Sequence, residues 1–151
     1  MKIAALFSML MVTASLQAQT LTFTDHEPLG NMRTQVTGQF FRLVERESKG
    51  RIRIDDHWNG EISSSYDAYE TVREGTKADL ATVVPEYDSQ RMPLHQLFKS
   101  FLAGPSGEAQ VALIGKAYKT IPELTEELHR AGIHPVLVAT GYPVGFIPEL
   151  P

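Results

Sequence analysis

The chain has 151 residues, with 14 Lys and Arg against 18 Asp and Glu, a formal net charge of -4 and no cysteine. An acidic balance without a basic cluster interleaved with aromatics argues against nucleic-acid binding. Without a thiol there is no disulfide framework, no thiolate metal centre and no cysteine nucleophile.

In chain order, Met1-Lys2, the apolar run Ile3 to Val12 and the small or polar residues up to Ala18 read as a secretory signal peptide cut after Ala18. The run is too short to span a bilayer, so no membrane insertion of the mature chain is expected. Removing residues 1–18 takes away Lys2 and no acidic residue, leaving residues 19–151 slightly more acidic.

Leu21-Thr22-Phe23-Thr24 alternates apolar and polar groups and predicts a first strand. The period then turns helical from Met32 to Ser48, with Val36, Phe40, Leu43 and Val44 on the expected inner face and Gly50 as terminator. Arg51-Ile52-Arg53-Ile54 predicts a second strand. Ser63 to Ser65 offer N-caps for a helix through Tyr66, Tyr69 and Val72 that Gly75 ends. Ala78 to Val84 reads as a buried third strand stopped by Pro85.

Beyond it, Pro93 to Phe101 predicts a short helix. Glu108 to Thr120 predicts a longer one, with Val111, Leu113, Ile114, Ala117 and Tyr118 available for burial. Pro122 opens another helix through Leu128 that Gly132 closes, and Ile133 to Ala139 predicts a fourth strand entering Thr140-Gly141-Tyr142-Pro143.

The β-α-β-α-β order requires right-handed crossovers, hence an α/β fold with a mostly parallel sheet and helices on both faces. In such sheets the loops beyond the carboxyl ends of the strands hold ligands. Here they are Asp25 to Asn31, His57 to Glu61 and Pro85 to Asp88. The terminal Phe146 to Pro151 follows a strand and a turn without a closing helix, which leaves one edge or face uncovered, so a fragment is expected.

With these loops placed, the pattern resembles the N-terminal half of the extracytoplasmic solute-binding proteins of tripartite ATP-independent periplasmic (TRAP) transporters, the DctP-like family. The resemblance rests on Leu21-Thr22-Phe23 into Glu27-Pro28-Leu29-Gly30, Glu45 to Ile54, and Trp58-Asn59-Gly60-Glu61-Ile62. It continues through Ala68 to Gly75, Ala78-Asp79-Leu80, Pro93-Leu94, and Gly132-Ile133 into Gly141-Tyr142. It implies a periplasmic-binding-protein type II-like lobe over residues 19–151, with the second lobe largely missing. It also implies a periplasmic receptor, not an enzyme, that captures a small organic acid and delivers it to TRAP permease subunits in the membrane. The arginine that holds the ligand carboxylate in that family is expected beyond Pro151, and none of Arg33, Arg91 or Arg130 matches it.

The expected ligand contacts are His26 and Glu27 after the first strand, Trp58, Asn59 and Glu61 after the second, Glu86 and Tyr87 after the third, and Tyr142 after the fourth. Trp58 could equally plug the core, and Tyr142 could be hinge packing. No cofactor is expected. His26, His57 and Glu86 would form a metal site only if three strand ends converged, and no His-x-His or His-Glu-x-x-His element supports one. A metal receptor and a non-functional truncated domain are the alternatives. Catalysis is disfavoured because neither a Gly-x-Ser-x-Gly elbow nor a phosphate-cradling loop is present.

Overall fold

A computed structural model describes residues 18–99 and 107–138. The elements are β1 (Gln19–Thr24), α1 (Met32–Glu47), β2 (Ile52–His57), α2 (Ala68–Glu74) and β3 (Leu80–Ala81). Two 3₁₀ turns follow (Pro85–Tyr87 and Leu94–Lys99), then α3 (Glu108–Thr120) and α4 (Pro122–Arg130). The sheet is parallel in the order β2-β1-β3, with Gln19 opposite Ile52, Thr24 opposite His57, and Phe23 opposite Leu80. The expected parallel α/β order is therefore present, with β1 in the centre.

Local chemistry sets the boundaries. The Asn31 side chain accepts from Thr34 N at 2.9 Å and caps α1, satisfying one of the donors that a helix start leaves open. Gly75, at φ 63°, ends α2 in the left-handed conformation. Pro122 occupies the first turn of α4, where no intrahelical N–H is lost. The serines lie in the turn ahead of α2, whose N-cap is Asp67 without a side-chain cap bond: Ser64 Oγ accepts from Asp67 N at 3.2 Å, while Ser63 is buried with its Oγ 3.3 Å from that of Thr24.

Four expectations need correction. The inner face of α1 carries Thr34, Gly38 and Phe41, whereas Val36 is 58% and Leu43 42% exposed. Small residues let the helix sit close to the sheet, and Phe41 then reaches Phe23. The third strand is reduced to Leu80–Ala81, although Asp79 N donates to Thr22 O at 2.9 Å and Thr82 N to Thr24 O at 3.0 Å, continuing its alignment. α3 buries none of its residues, and Val111 and Leu113 face solvent. Residues 133–138 form no strand: Pro135 lacks a donor, and Val136 and Leu137 are exposed. The expected leader (residues 1–17 of it) and the turn containing Tyr142 lie outside the described residues.

Among the described residues, two groups of apolar contacts stand out. Beneath the sheet's carboxyl edge, the Phe23 ring meets Phe41 at 4.8 Å and Trp58 at 5.3 Å, both edge-to-face. Such pairs add about 0.5–1.5 kcal/mol each beyond area burial. The other group joins Tyr69, Met92, Leu128 and Ala131, with Val83, Tyr118 and Ile133 packed against it.

Candidate functional site

The loops after β1, β2 and β3 converge on one buried residue, Asp25. Asp25, only 1% exposed, accepts Arg33 Nη1 at 2.6 Å and Nη2 at 3.0 Å, Glu27 N at 2.9 Å, and the Thr82 hydroxyl at 2.7 Å. Burial alone would raise the Asp25 pKa, but the Arg33 fork, the Glu27 N–H and the Thr82 hydroxyl outweigh it and hold the carboxyl below its ordinary value. Asp25 thus joins the β1 loop to the first turn of α1 and to the residue after β3.

The β2 loop is attached through its backbone. Asn59 (φ 58°) and Gly60 (φ 70°) are consecutive left-handed residues. That turn sends Asn59 N to Glu27 O at 2.8 Å and Gly60 N to Asp25 O at 2.9 Å. Glycine meets this geometry without a Cβ clash, and asparagine is one of the few other residues that tolerates it.

Around this joint the expected contact residues take distinct places. The His26 ring lies 3.6 Å from Asp25 on one nitrogen and 3.6 Å from Glu27 on the other. Its Nδ1 is buried without a hydrogen-bond partner among the described residues. Glu27 accepts from Asn31 Nδ2 at 3.1 Å and lies 3.9 Å from Arg33. Glu61 pairs with His57 Nδ1 at 3.1 Å, and this contact chiefly raises the His57 pKa, with Asp55 adding to it. Tyr87 is half exposed and stacks on Tyr66 at 4.7 Å. Glu86 sits in the same 3₁₀ turn, and its charge helps to raise the Tyr118 pKa.

Trp58 belongs to the aromatic core, 9% exposed, with its indole N–H donating to Asp56 Oδ2 at 2.5 Å. Its ring supports the loops from below. Among the described residues no group of three or more His, Asp or Glu side chains could hold a metal ion. His57 is instead engaged with Glu61 and Asp55.

Sequence reasoning missed the pairing of Asp25 with Arg33. One signal was available. A basic residue in the first turn opposes the helix dipole, and α1 has no acidic residue there. Such an arginine calls for a nearby carboxylate.

A second buried polar group lies apart from the strand ends. Glu127 (3% exposed) accepts Leu94 N at 2.8 Å and His95 N at 3.2 Å, and its Oε2 lies 2.6 Å from His95 Nδ1. His95 Nε2 lies 2.6 Å from the Tyr118 hydroxyl. With a proton on Nδ1 the ring donates to the carboxylate, and Nε2 can accept the phenol hydroxyl. Burial chiefly, with the charges of Glu86 and Glu127, pushes the Tyr118 pKa up to about 12. The order acid, histidine, hydroxyl superficially matches a nucleophile relay, but this phenol keeps its proton and His95 is 1% exposed. The group is a clamp among α3, α4 and the second 3₁₀ turn.

No family model and no curated protein matches the chain. Solved structures do. A Bordetella pertussis extracytoplasmic solute receptor, DctP7, binding pyroglutamic acid, is similar at 21% identity and TM-score 0.58 over 76% of this chain and 37% of that one. A TRAP periplasmic solute-binding protein from Desulfovibrio salexigens, in complex with diglycerolphosphate, matches at 11% identity and TM-score 0.62 over 76% and 36%. Another from a Sulfitobacter species, with bound β-D-galacturonate, matches at 14% and 0.59 over 75% and 37%. The chain therefore shares the α/β fold of part of the DctP-like TRAP solute-binding proteins, as the resemblance implied. It spans little more than a third of their length.

Proposed function

We propose that residues 19–151 act as the N-terminal lobe of a periplasmic receptor that captures a small organic acid and delivers it to TRAP permease subunits. Residues 1–18 serve as the export signal. The observation that carries this reading is the joining of three strand-end loops through Asp25, in a fold shared with solute receptors. Such loops are where parallel α/β sheets hold ligands.

Within the proposal, His26, Glu27, Asn59, Glu61, Glu86 and Tyr87 face the ligand, Trp58 supports them and Tyr142 closes the cleft. Closure of a second lobe over these loops would bury the ligand and create the surface read by the permease, through contacts made only in the closed state. Solute capture accounts for the joined loops without a catalytic step.

A single charge-assisted hydrogen bond contributes about 1.5–3 kcal/mol, so one lobe binds weakly, in the millimolar range or above. The test is a thermal-shift panel of carboxylates, ketoacids and amino acids at high ligand concentration. At about ten times Kd, a cognate acid adds about 1.4 kcal/mol, a rise of a few degrees in Tm. The shift should shrink in His26→Ala. A flat response to every acid, for this chain and for any longer product of the same gene, would refute the reading.

A further inference from the structure

We propose a second, separate anion site in the hollow between α2 and the end of α4, for a small multivalent oxyanion of the phosphate class. The hollow is about 650 Å³ and is lined by Tyr69, Arg73, Arg91, Arg130, Ala131 and Gly132. All three charged lining residues are arginines, in a chain whose net charge is -4. None of them comes from the strand-end loops assigned above to the organic acid.

Carboxylates hold the guanidiniums but do not line the hollow. Arg73 places Nε and Nη2 each 2.6 Å from Glu70 Oε2. Arg91 donates Nη1 to Asp88 at 2.6 Å, lies 3.0 Å from Glu70 through Nη2, and stands 5.3 Å over the Tyr69 ring. These contacts fix two forks while leaving Nη1 of Arg73 and Nε of Arg91 without a partner among the described residues. Arg130 is looser, with its nearest carboxylate oxygen, on Glu126, at 3.8 Å, beyond a hydrogen bond.

The rear wall is fixed independently. The Tyr69 hydroxyl donates to Ala131 O at 2.6 Å, which ties α2 to the end of α4. Gly132, at φ 82°, takes the left-handed conformation that favours glycine, and the Arg73 stem passes beside it. Two held guanidiniums and the looser Arg130 beside them match an anion with several oxygens. An apolar or cationic ligand would leave those donors uncompensated.

The test is a titration of the full chain with inorganic phosphate near neutral pH, at ionic strength held constant with chloride, followed by amide proton–nitrogen correlation NMR. Saturable shifts confined to Tyr69, Arg73, Arg91 and Arg130 to Gly132 are expected. Arg130→Gln should weaken the apparent affinity about fivefold or more while leaving the spectrum dispersed, and Arg130→Lys should retain part of it, because only arginine offers the fork. Shifts that do not saturate, that map elsewhere, or that are unchanged in a folded Arg130→Gln protein would overturn the proposal.

Discussion

Asp25 and Glu127 are both carboxylates removed from water, yet they organise their surroundings in different ways. Asp25 is gripped by Arg33, whose side chain is 34% exposed, so the donor keeps its charge and part of its hydration. Glu127 is gripped by His95, itself 1% exposed, and by two backbone N–H groups. The first arrangement positions loops at a surface. The second replaces missing apolar contact in a region where α3 buries no residue at all. A buried acid therefore signals a site or a structural fastener according to whether its donor reaches solvent.

Removing each acid tests this contrast. Glu127→Ala leaves a buried histidine and two backbone donors without their acceptor, and breaking a buried pair of this kind costs about 3–5 kcal/mol. Urea unfolding should show the loss. A cost below about 1 kcal/mol would mean that water replaces the carboxylate easily.

Asp25→Asn should cost less, about 2–3 kcal/mol, because Arg33 can turn toward solvent. It should also change the acid limb. Folding depresses the pKa of both Asp25 and Glu127, so their stabilisation is present above the ordinary carboxylate range, about 4, and is lost as pH falls through the depressed values. A shallower acid limb in Asp25→Asn melting curves is the expected result, and an unaltered limb would assign acid sensitivity to other groups.

Tyr118→Phe carries the smallest cost, about 1 kcal/mol, for one hydrogen bond at the edge of the clamp. Its alkaline behaviour is more diagnostic. The folded pKa of about 12 stands above the ordinary value, so the tyrosine's stabilisation is complete below the unfolded pKa and is lost as pH rises through the folded one. Phenylalanine should remove that component. Spectrophotometric titration of the phenols gives a direct check.

The architecture was legible where it depends on neighbours in sequence. Alternation marked β1, Gly75 stopped α2, Pro122 opened α4, and the order of elements required parallel pairing. What the residues could not announce was which distant group each would meet. The stripe Val36, Phe40 and Leu43 was the most apolar on α1, but close approach to the sheet favoured the face with Gly38 and Thr34. Nothing in the sequence singles out Glu127, because its partners lie more than thirty positions away. The strand-end cluster was visible as a set of loops, but the Asp25 joint that unites them was not. It depends on Arg33 and on Thr82, 57 residues along the chain.

The central place of β1 has a consequence for the order of synthesis. The first strand made is flanked on both sides by strands made later, and its second partner is complete only at Ala81. A nascent chain shorter than that cannot close the sheet, because the pairing is non-local and the intervening loop entropy must first be overcome. Until then β1 has an open edge, which delays stable folding of the nascent chain.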